Sequence, residues 1–339
     1  MKVVVTGGGG YLGTTLVPML LEAGHEVTVI DRFFFGQSFL EPLRAGHALR
    51  LIRDDTRWFD GGLLVGQDAV IDMAALSNDP AGELDPWKTY DINYLGRARV
   101  ARLAREAGVP RYILTSSCSV YGFREGLIDE STTPHPLTAY ARANVLAEQD
   151  TLPLARPEFC PTAVRLATLY GRSVRMRFDL AVNAMVLGGR HSGRIPVMKD
   201  GTQWRPFLHV RDAARALLSL LQQDPGRIEG QVFNIGSDDQ NYQLRPLAEL
   251  IAGSLSPSPD IEWYGDPDRR SYRVSFRRAV EALSFVPRWT PADAAREIES
   301  ALADGSLALS PEQRTVEWYR RLLEDPVAGA AVALHGVVL

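Results

Sequence analysis

Lys2–Gly13 reads KVVVTGGGGYLG. The first five residues are an apolar, β-branched run, which suits a buried strand. Four glycines follow. From Tyr11 the apolar residues Leu12, Leu16, Val17, Leu20 and Leu21 recur at helical spacing until Gly24. The stretch therefore predicts a strand that enters a glycine turn and leaves it as a helix. Gly7, Gly10 and Gly13 form G-x-x-G-x-x-G. Gly7 allows the tight turn, Gly10 lets the backbone approach a pyrophosphate, and Gly13 lets the helix pack closely on the sheet. The N-terminus of that helix offers free N–H groups and partial positive charge to phosphates.

Four successive glycines fit many spacings, so the context decides. Glu26–Asp31 (EVTVID) is a second strand, and it ends in an acid eighteen residues after Gly13. A dinucleotide-binding fold needs a carboxylate there for the ribose hydroxyls. Asp31 repels a 2′-phosphate and argues for NAD over NADP. Arg32, next to it, argues the other way.

Working outward, strands are expected at Leu49–Asp55, Ala69–Ala75, Arg111–Ser117 and Thr162–Tyr170. Helices are expected from about Pro86 to Ala107 and at Thr138–Asp150. Strands joined by helices imply a parallel sheet covered on both faces, with right-handed crossovers. Phe33–Phe35 either line an adenine pocket or pack the loop, and packing is the simpler reading. Beyond Gly171 the order changes. Ser173–Arg205 reads as loops with one helix near Asp179–Leu187. Then come a strand at Phe207–Val210, a helix at Arg211–Gln222 and a strand at Gln231–Gly236. Helices follow from Leu244, near Ser275–Leu283, Pro291–Asp304 and Pro311–Glu324. The expected fold is α/β: a Rossmann-type doubly wound parallel sheet with a smaller α+β substrate-binding part. Residues 1–171 and 206–236 would form the dinucleotide-binding domain, and 172–205 with 237–325 the substrate-binding part. Residues 326–339 would be a C-terminal tail, either docked or fraying, or an oligomer contact.

The 339 residues suffice for one large domain or two ordinary ones. A hydrophobic content of 45% and a charged content of 23% belong to a water-soluble globular chain. A net charge of −4 gives no basic surface for nucleic acid or anionic lipid. Two cysteines, Cys118 and Cys160, make no disulfide framework. With the first strand at residue 2 and no apolar run of membrane-spanning length, a cytoplasmic location is expected, and no metal. Lys2, Lys88 and Lys199 are the only lysines, so a catalytic lysine has few places to be.

Ser116–Gly122 (SSCSVYG) lies at the end of the fifth strand. Ligands bind outside the carboxyl ends of strands in such sheets, so a hydroxyl here would face a nicotinamide. Tyr140 and Asn144 stand four apart on the next helix, on one face that Glu148 continues. Taken singly, the serine could be an ordinary strand-end hydroxyl and the tyrosine an ordinary packed ring.

At this point the chain resembles the extended short-chain dehydrogenase/reductases of the NAD-dependent epimerase/dehydratase type. The marks are TGGGGYLG at Thr6–Gly13, Asp31, DDTR at Asp54–Arg57, DMAA at Asp72–Ala75 and Asn93. SSCSVYG, the Tyr140 helix, RLATLYG at Arg165–Gly171, RPFLHVRD at Arg205–Asp212 and WYGDPD at Trp263–Asp268 complete them. The resemblance implies that Gly7, Gly10, Tyr11, Leu12, Gly13, Asp31 and Arg32 contact the cofactor. Asp55 and Thr56 would sit by its adenine, Ala74 and Ala75 along it, and Asn93 would support the helix beside it. It also implies that Ser117 is the catalytic hydroxyl and Tyr140 the acid/base. Ser119, Thr168, Arg177, Asn183, Arg205 and Arg269 are the candidate substrate contacts. Arg205 would grip a nucleotide-sugar pyrophosphate through its planar fork of donors.

The chain departs from the family pattern at four places. Asn144 stands where a lysine is usual, keeping hydrogen bonds to a ribose but not the charge that lowers a tyrosine pKa. Either the oxidised nicotinamide's charge suffices, or hydride chemistry is reduced. Cys118 and Ser119 replace the Asp-Glu of 4,6-dehydratases, and neither is an acid of carboxyl strength. Thr168 and Asp72 stand where Asn and His are usual. The expected activity is NAD-dependent epimerisation of a nucleotide-activated sugar, and the resemblance implies a homodimer. The alternatives are a net oxidoreductase on a nucleotide-sugar or nucleotide, and a cofactor-binding regulator with vestigial catalysis.

Overall fold

The computed structural model of the protein describes residues 1–266, 268 and 270–339. Seven strands make the main sheet: Lys2–Thr6 (β1), Glu26–Asp31 (β2), Leu49–Arg53 (β3), Ala69–Asp72 (β4), Arg111–Ser117 (β5), Cys160–Leu166 (β6) and Val232–Ile235 (β7). They lie in the order β3-β2-β1-β4-β5-β6-β7, and every pairing is parallel. Along β1 the side chains alternate. Val3 and Val5 join a core with Leu16, Leu20 and Ile71 on one face. Val4 joins Ile30, Val70, Val100 and Leu114 on the other. Burial on both faces is why this strand is an unbroken valine run. The strand order reverses between β1 and β4, so the loops after them diverge. A crevice opens there, at the carboxyl ends of the strands.

Three expected elements differ in ways that matter. The long helix after β4 is in fact Pro86–Tyr90, a wider-turned stretch at Asp91–Gly96 and Arg97–Glu106. The inserted turn re-phases the helix, and Arg97 follows it directly. The strand expected over Thr162–Tyr170 breaks at Ala167. Its first part stays in the main sheet as β6. Thr168–Tyr170 leaves and pairs with Trp204–His209, which carries Thr168 to the substrate side. The helix near Asp179–Leu187 runs from Ala181 to Ser192.

Two further strand pairs had no local signal. Phe123–Ile128 pairs with Ser271–Val274, and Arg194–Met198 with Asp260–Tyr264, all in parallel. These strands are short and joined only across long sequence separations. A second core, including Tyr170, Phe178, Val182, Phe207, Leu247 and Ile298, supports this smaller part.

The C-terminal segment is docked rather than frayed. Pro326–Val332 is helical, and the chain then folds back so that Leu339 is buried beside Leu76, Ile92, Tyr319 and Leu322. The Arg32 guanidinium donates to the carbonyls of Val332, Val337 and Val338 at 3.1, 2.8 and 3.0 Å. Among the described residues no helix is long and apolar enough to cross a membrane.

Candidate active site

A cavity of about 500 Å³ occupies the crevice. At its nucleotide end the glycine turn brings three backbones together. A Cβ on Gly7, which has φ +69°, would lie 2.8 Å from the Ala74 backbone. A Cβ on Gly13 would lie 2.4 Å from the Gly8 carbonyl oxygen. Gly13 thus lets the helix close onto the turn itself, rather than onto the sheet as the sequence suggested. Gly7, Gly10, Tyr11, Leu12 and Gly13 all line the cavity, as do Asp31, Arg32, Asp55, Thr56, Ala74 and Ala75.

Asp31 ends β2 and accepts from the N–H groups of Gly9 at 2.8 Å and Phe33 at 2.6 Å. Burial pushes its carboxyl up, against the pull of those two donors. Each oxygen keeps a lone pair for a ribose hydroxyl. Arg32 points away from any such ligand: besides the tail carbonyls it holds Asp55 at 2.8 Å. Burial works to raise the Asp55 carboxyl, but hydrogen bonds from Arg57 and Arg32 outweigh it and hold it below the usual carboxylate range. With Arg32 spent inside the protein, the cation that argued for a 2′-phosphate is withdrawn. Phe34 and Phe35 pack on Tyr319 at 5.8 and 5.6 Å between ring centres, while lining the same end of the cavity.

Asn93 is fully buried. Its side chain accepts from Leu76 N at 2.8 Å and donates to Leu76 O at 3.1 Å. It shapes the Ala74–Leu76 segment from behind and does not itself reach the cavity.

In the middle of the cleft β5 delivers Ser117. Its Oγ accepts from Ser119 N at 3.1 Å, which leaves its O–H free to donate. The Ser119 hydroxyl is buried, lines the cavity and has no partner. Cys118 turns inward: its thiol donates to the Arg165 carbonyl at 3.3 Å, and burial pushes its pKa up. It cannot serve as an acid.

The helix Ala139–Thr151 starts where Thr138 Oγ1 accepts from Ala141 N at 3.1 Å. The Thr138 hydroxyl donates to Asp79, and Ala139 N donates to Glu83 at 2.7 Å. These contacts fix Tyr140 against the strand ends. Burial raises the Tyr140 phenol, and the Asp79 charge raises it further. Arg97 and hydrogen bonding to Ser117 and Asn144 act to lower it. Asn144 donates to the Tyr140 carbonyl at 3.1 Å. Glu148, the next residue on that face, is taken out of play by Arg165 at 2.6 Å.

The substrate end holds Thr168, Arg177 and Arg205, all lining the cavity. Arg205 grips Asp268 at 2.8 Å, and Arg177 grips Asp179 at 2.6 Å. Asn183 does not reach the cavity. It accepts from Gly171 N at 2.9 Å and donates to Arg177 O at 2.9 Å and Tyr11 Oη at 3.2 Å. Arg269 lies outside the described residues.

Three arginines that were not among the candidate site residues also line the cleft. Arg270 joins Asp268 at 2.7 Å and also Asp79. Arg175 lies over Phe35 at 3.5 Å, beside the helix that follows the glycine turn, and its buried Nε has no partner. Burial and the nearby Arg177 push its guanidinium down to about 10. Arg97 is the third. Arg175 and Arg270 stood in an arginine-rich stretch, but nothing local separated them from surface arginines.

A family model described as "NAD dependent epimerase/dehydratase family" matches residues 3–236. The chain belongs to this family. UDP-glucuronic acid decarboxylase 1 of Arabidopsis thaliana is 28% identical over 85% of this chain and 66% of its own length. The Danio rerio protein of that name is 28% identical over 84% and 69%. The chain thus spans about two thirds of these relatives' length. Among solved structures, MoeE5 in complex with UDP-glucuronic acid and NAD is 26% identical, with a TM-score of 0.80 over 91% of this chain and 100% of the other. UDP-glucuronic acid 4-epimerase from Bacillus cereus is 22% identical, with a TM-score of 0.79 over 90% and 99%, and shares the fold. The family's cofactor is NAD. The glycine cradle, the Asp31 carboxylate and the withdrawn Arg32 all fit it.

Proposed function

We propose that this chain epimerises a nucleotide-activated sugar by transient oxidation of one ring hydroxyl to a ketone. NAD, when bound, supplies a hydride acceptor and later a hydride donor. Gly7, Gly10, Gly13, Asp31, Asp55, Thr56, Ala74 and Ala75 would hold it; Asn144, expected at the ribose, is instead buried with its amide bonded to Arg97 and the Tyr140 carbonyl. The chain's own residues handle the proton. Tyr140 Oη accepts the proton of the sugar hydroxyl as that carbon is oxidised. Ser117 Oγ donates to the same oxygen and steadies the developing charge. After the ketone turns its other face to the cofactor, Tyr140 returns the proton. Ser119 and Thr168 offer hydroxyls to the sugar, and Arg205 and Arg177 face the diphosphate. The carrying observation is that Ser117 and Tyr140 line one cleft with the glycine turn and Asp31.

The UDP-glucuronic acid named for several relatives and MoeE5 supports a UDP-hexuronate or UDP-hexose as substrate. It also favours a second reading. A ketone beta to a sugar carboxylate makes loss of carbon dioxide easy without any further acid, so decarboxylation needs no residue that Cys118 and Ser119 lack. One experiment separates the readings: incubate the NAD-loaded protein with UDP-glucose and UDP-glucuronic acid, and analyse products by NMR. An epimer with no net NADH supports epimerisation. A UDP-pentose with carbon dioxide selects decarboxylation, and steady NADH accumulation selects a net oxidoreductase. Inertness with NAD binding intact selects the regulator. Sedimentation tests the proposed homodimer.

A further inference from the structure

Arg97 is a large charged side chain that is 1% exposed, yet it borders the cleft beside the proposed chemistry. A guanidinium cannot give up its charge in a protein, so this is a permanent cation held away from water. Each of its three nitrogens has a partner within the protein. One donates to Asn144 Oδ1 at 3.1 Å. Another donates to the Asp72 carbonyl at 3.0 Å and to the Thr115 carbonyl. Nε faces the Asp72 carboxylate at 3.4 Å. That last contact is long, because Asp72 spends its oxygens elsewhere: Thr6 and Tyr112 each donate to it at 2.5 Å. The acid is thus shared among three donors, while Asn144 joins Arg97 to the helix that carries Tyr140.

Asn144 itself is neutral and 1% exposed. It accepts from Arg97 through Oδ1 and donates through Nδ2 to the Tyr140 main-chain carbonyl, which ties Arg97 to the helix turn that carries the phenol.

Resting on the reading of Tyr140 as acid/base, we infer that Arg97 is its positioning residue: it orients Asn144 and supplies, from behind, the fixed positive charge that stabilises the Tyr140 phenolate. The groups facing that phenol act in opposite directions, as their charges require. Asp79, from the helix over Asp79–Gly82, opposes ionisation, and Arg97 favours it, as do the neutral Ser117 and Asn144. Arg270 neutralises part of Asp79. Glu83 is engaged by Ala139 N.

The test titrates the phenol directly and needs no sugar. The near-ultraviolet phenolate signal of Tyr140 is the difference between NAD-loaded protein and the same protein carrying Tyr140→Phe. Removing Arg97 alone would strand Asp72 as a buried anion and endanger folding, so Arg97→Met is made in an Asp72→Asn background and compared with Asp72→Asn. Loss of the cation should raise the Tyr140 midpoint by about one unit or more. Adding Asn144→Lys should bring it back down. A folded Arg97→Met/Asp72→Asn protein with an unmoved midpoint overturns the inference. If that double variant does not fold, Asp72→Asn decides: freeing the cation of its anion should lower the midpoint against wild type, and an unmoved or higher one overturns the inference. Survival of turnover in Tyr140→Phe would sink the acid/base reading underneath, while leaving the effect of Arg97 on the phenol measurable on its own.

Discussion

At the nucleotide end of the cleft, Asp31 is held by backbone N–H groups of Gly9 and Phe33 and keeps acceptors to spare. At the substrate end, Arg177, Arg205 and Arg270 each already sit on a carboxylate. The first end can receive its ligand without giving up a bond. At the second, an anionic ligand of these arginines would have to displace carboxylates. Asp268 illustrates the difference. It is shared by Arg205 and Arg270. Burial works to raise its carboxyl, but the two arginines hold it below the usual range. One end holds its acid on backbone donors, and the other holds its arginines in ion pairs.

The largest expected effect lies between the two ends. Tyr140→Phe should cut turnover by about a hundredfold or more, with NAD affinity unchanged by calorimetry. Near wild-type turnover would remove the acid/base role. Next, Arg205→Met should raise KM for the nucleotide-sugar by roughly tenfold to a hundredfold, the worth of a lost charge-assisted contact, again without touching NAD affinity. An effect on NAD instead would erase the distinction between the ends. Asp268→Asn sharpens the comparison: if the carboxylate competes with phosphate, KM should fall by a few-fold, and a raised KM would mean that Asp268 mainly positions its arginines.

The smallest effect is on acid stability. Asp55, Asp179 and Asp268 all have folded pKa values depressed by arginines that outweigh burial. Their contribution is fully present above the ordinary carboxylate value, about 3.9, and is lost as pH falls through the lower folded values. Urea unfolding should therefore show stability that declines below about pH 4. Asp55→Asn should flatten part of that decline, and an unchanged curve would show that Arg32 and Arg57 do not hold Asp55 as a charged partner.

What could be read in advance follows the range of the forces involved. Strand, glycine turn, helix and acid lie within the first thirty-one residues, and alternation, helical spacing and a Cβ clash are local. These determined the parallel sheet, the cofactor cradle and the helix bearing Tyr140 and Asn144. Asn93 and Asn183 also carried the right residue types, but their hydrogen bonds run inward to Leu76, Gly171, Arg177 and Tyr11. Nothing near them in the chain could have said so.

The chain's own order of residues determined the Rossmann architecture, the pairing of Ser117 with Tyr140 and the neutral residue at 144. Only the tertiary structure decided which arginines matter: Arg32 turned to the C-terminal carbonyls, Arg97 placed behind Asn144, Arg205 mated to Asp268 and Arg270 to Asp79. Charge acts through space, and these partners stand between 23 and 306 residues apart along the chain for Arg32, 47 for Arg97 with Asn144, and 63 for Arg205 with Asp268. No local pattern encodes such meetings, because burial and folding bring them about.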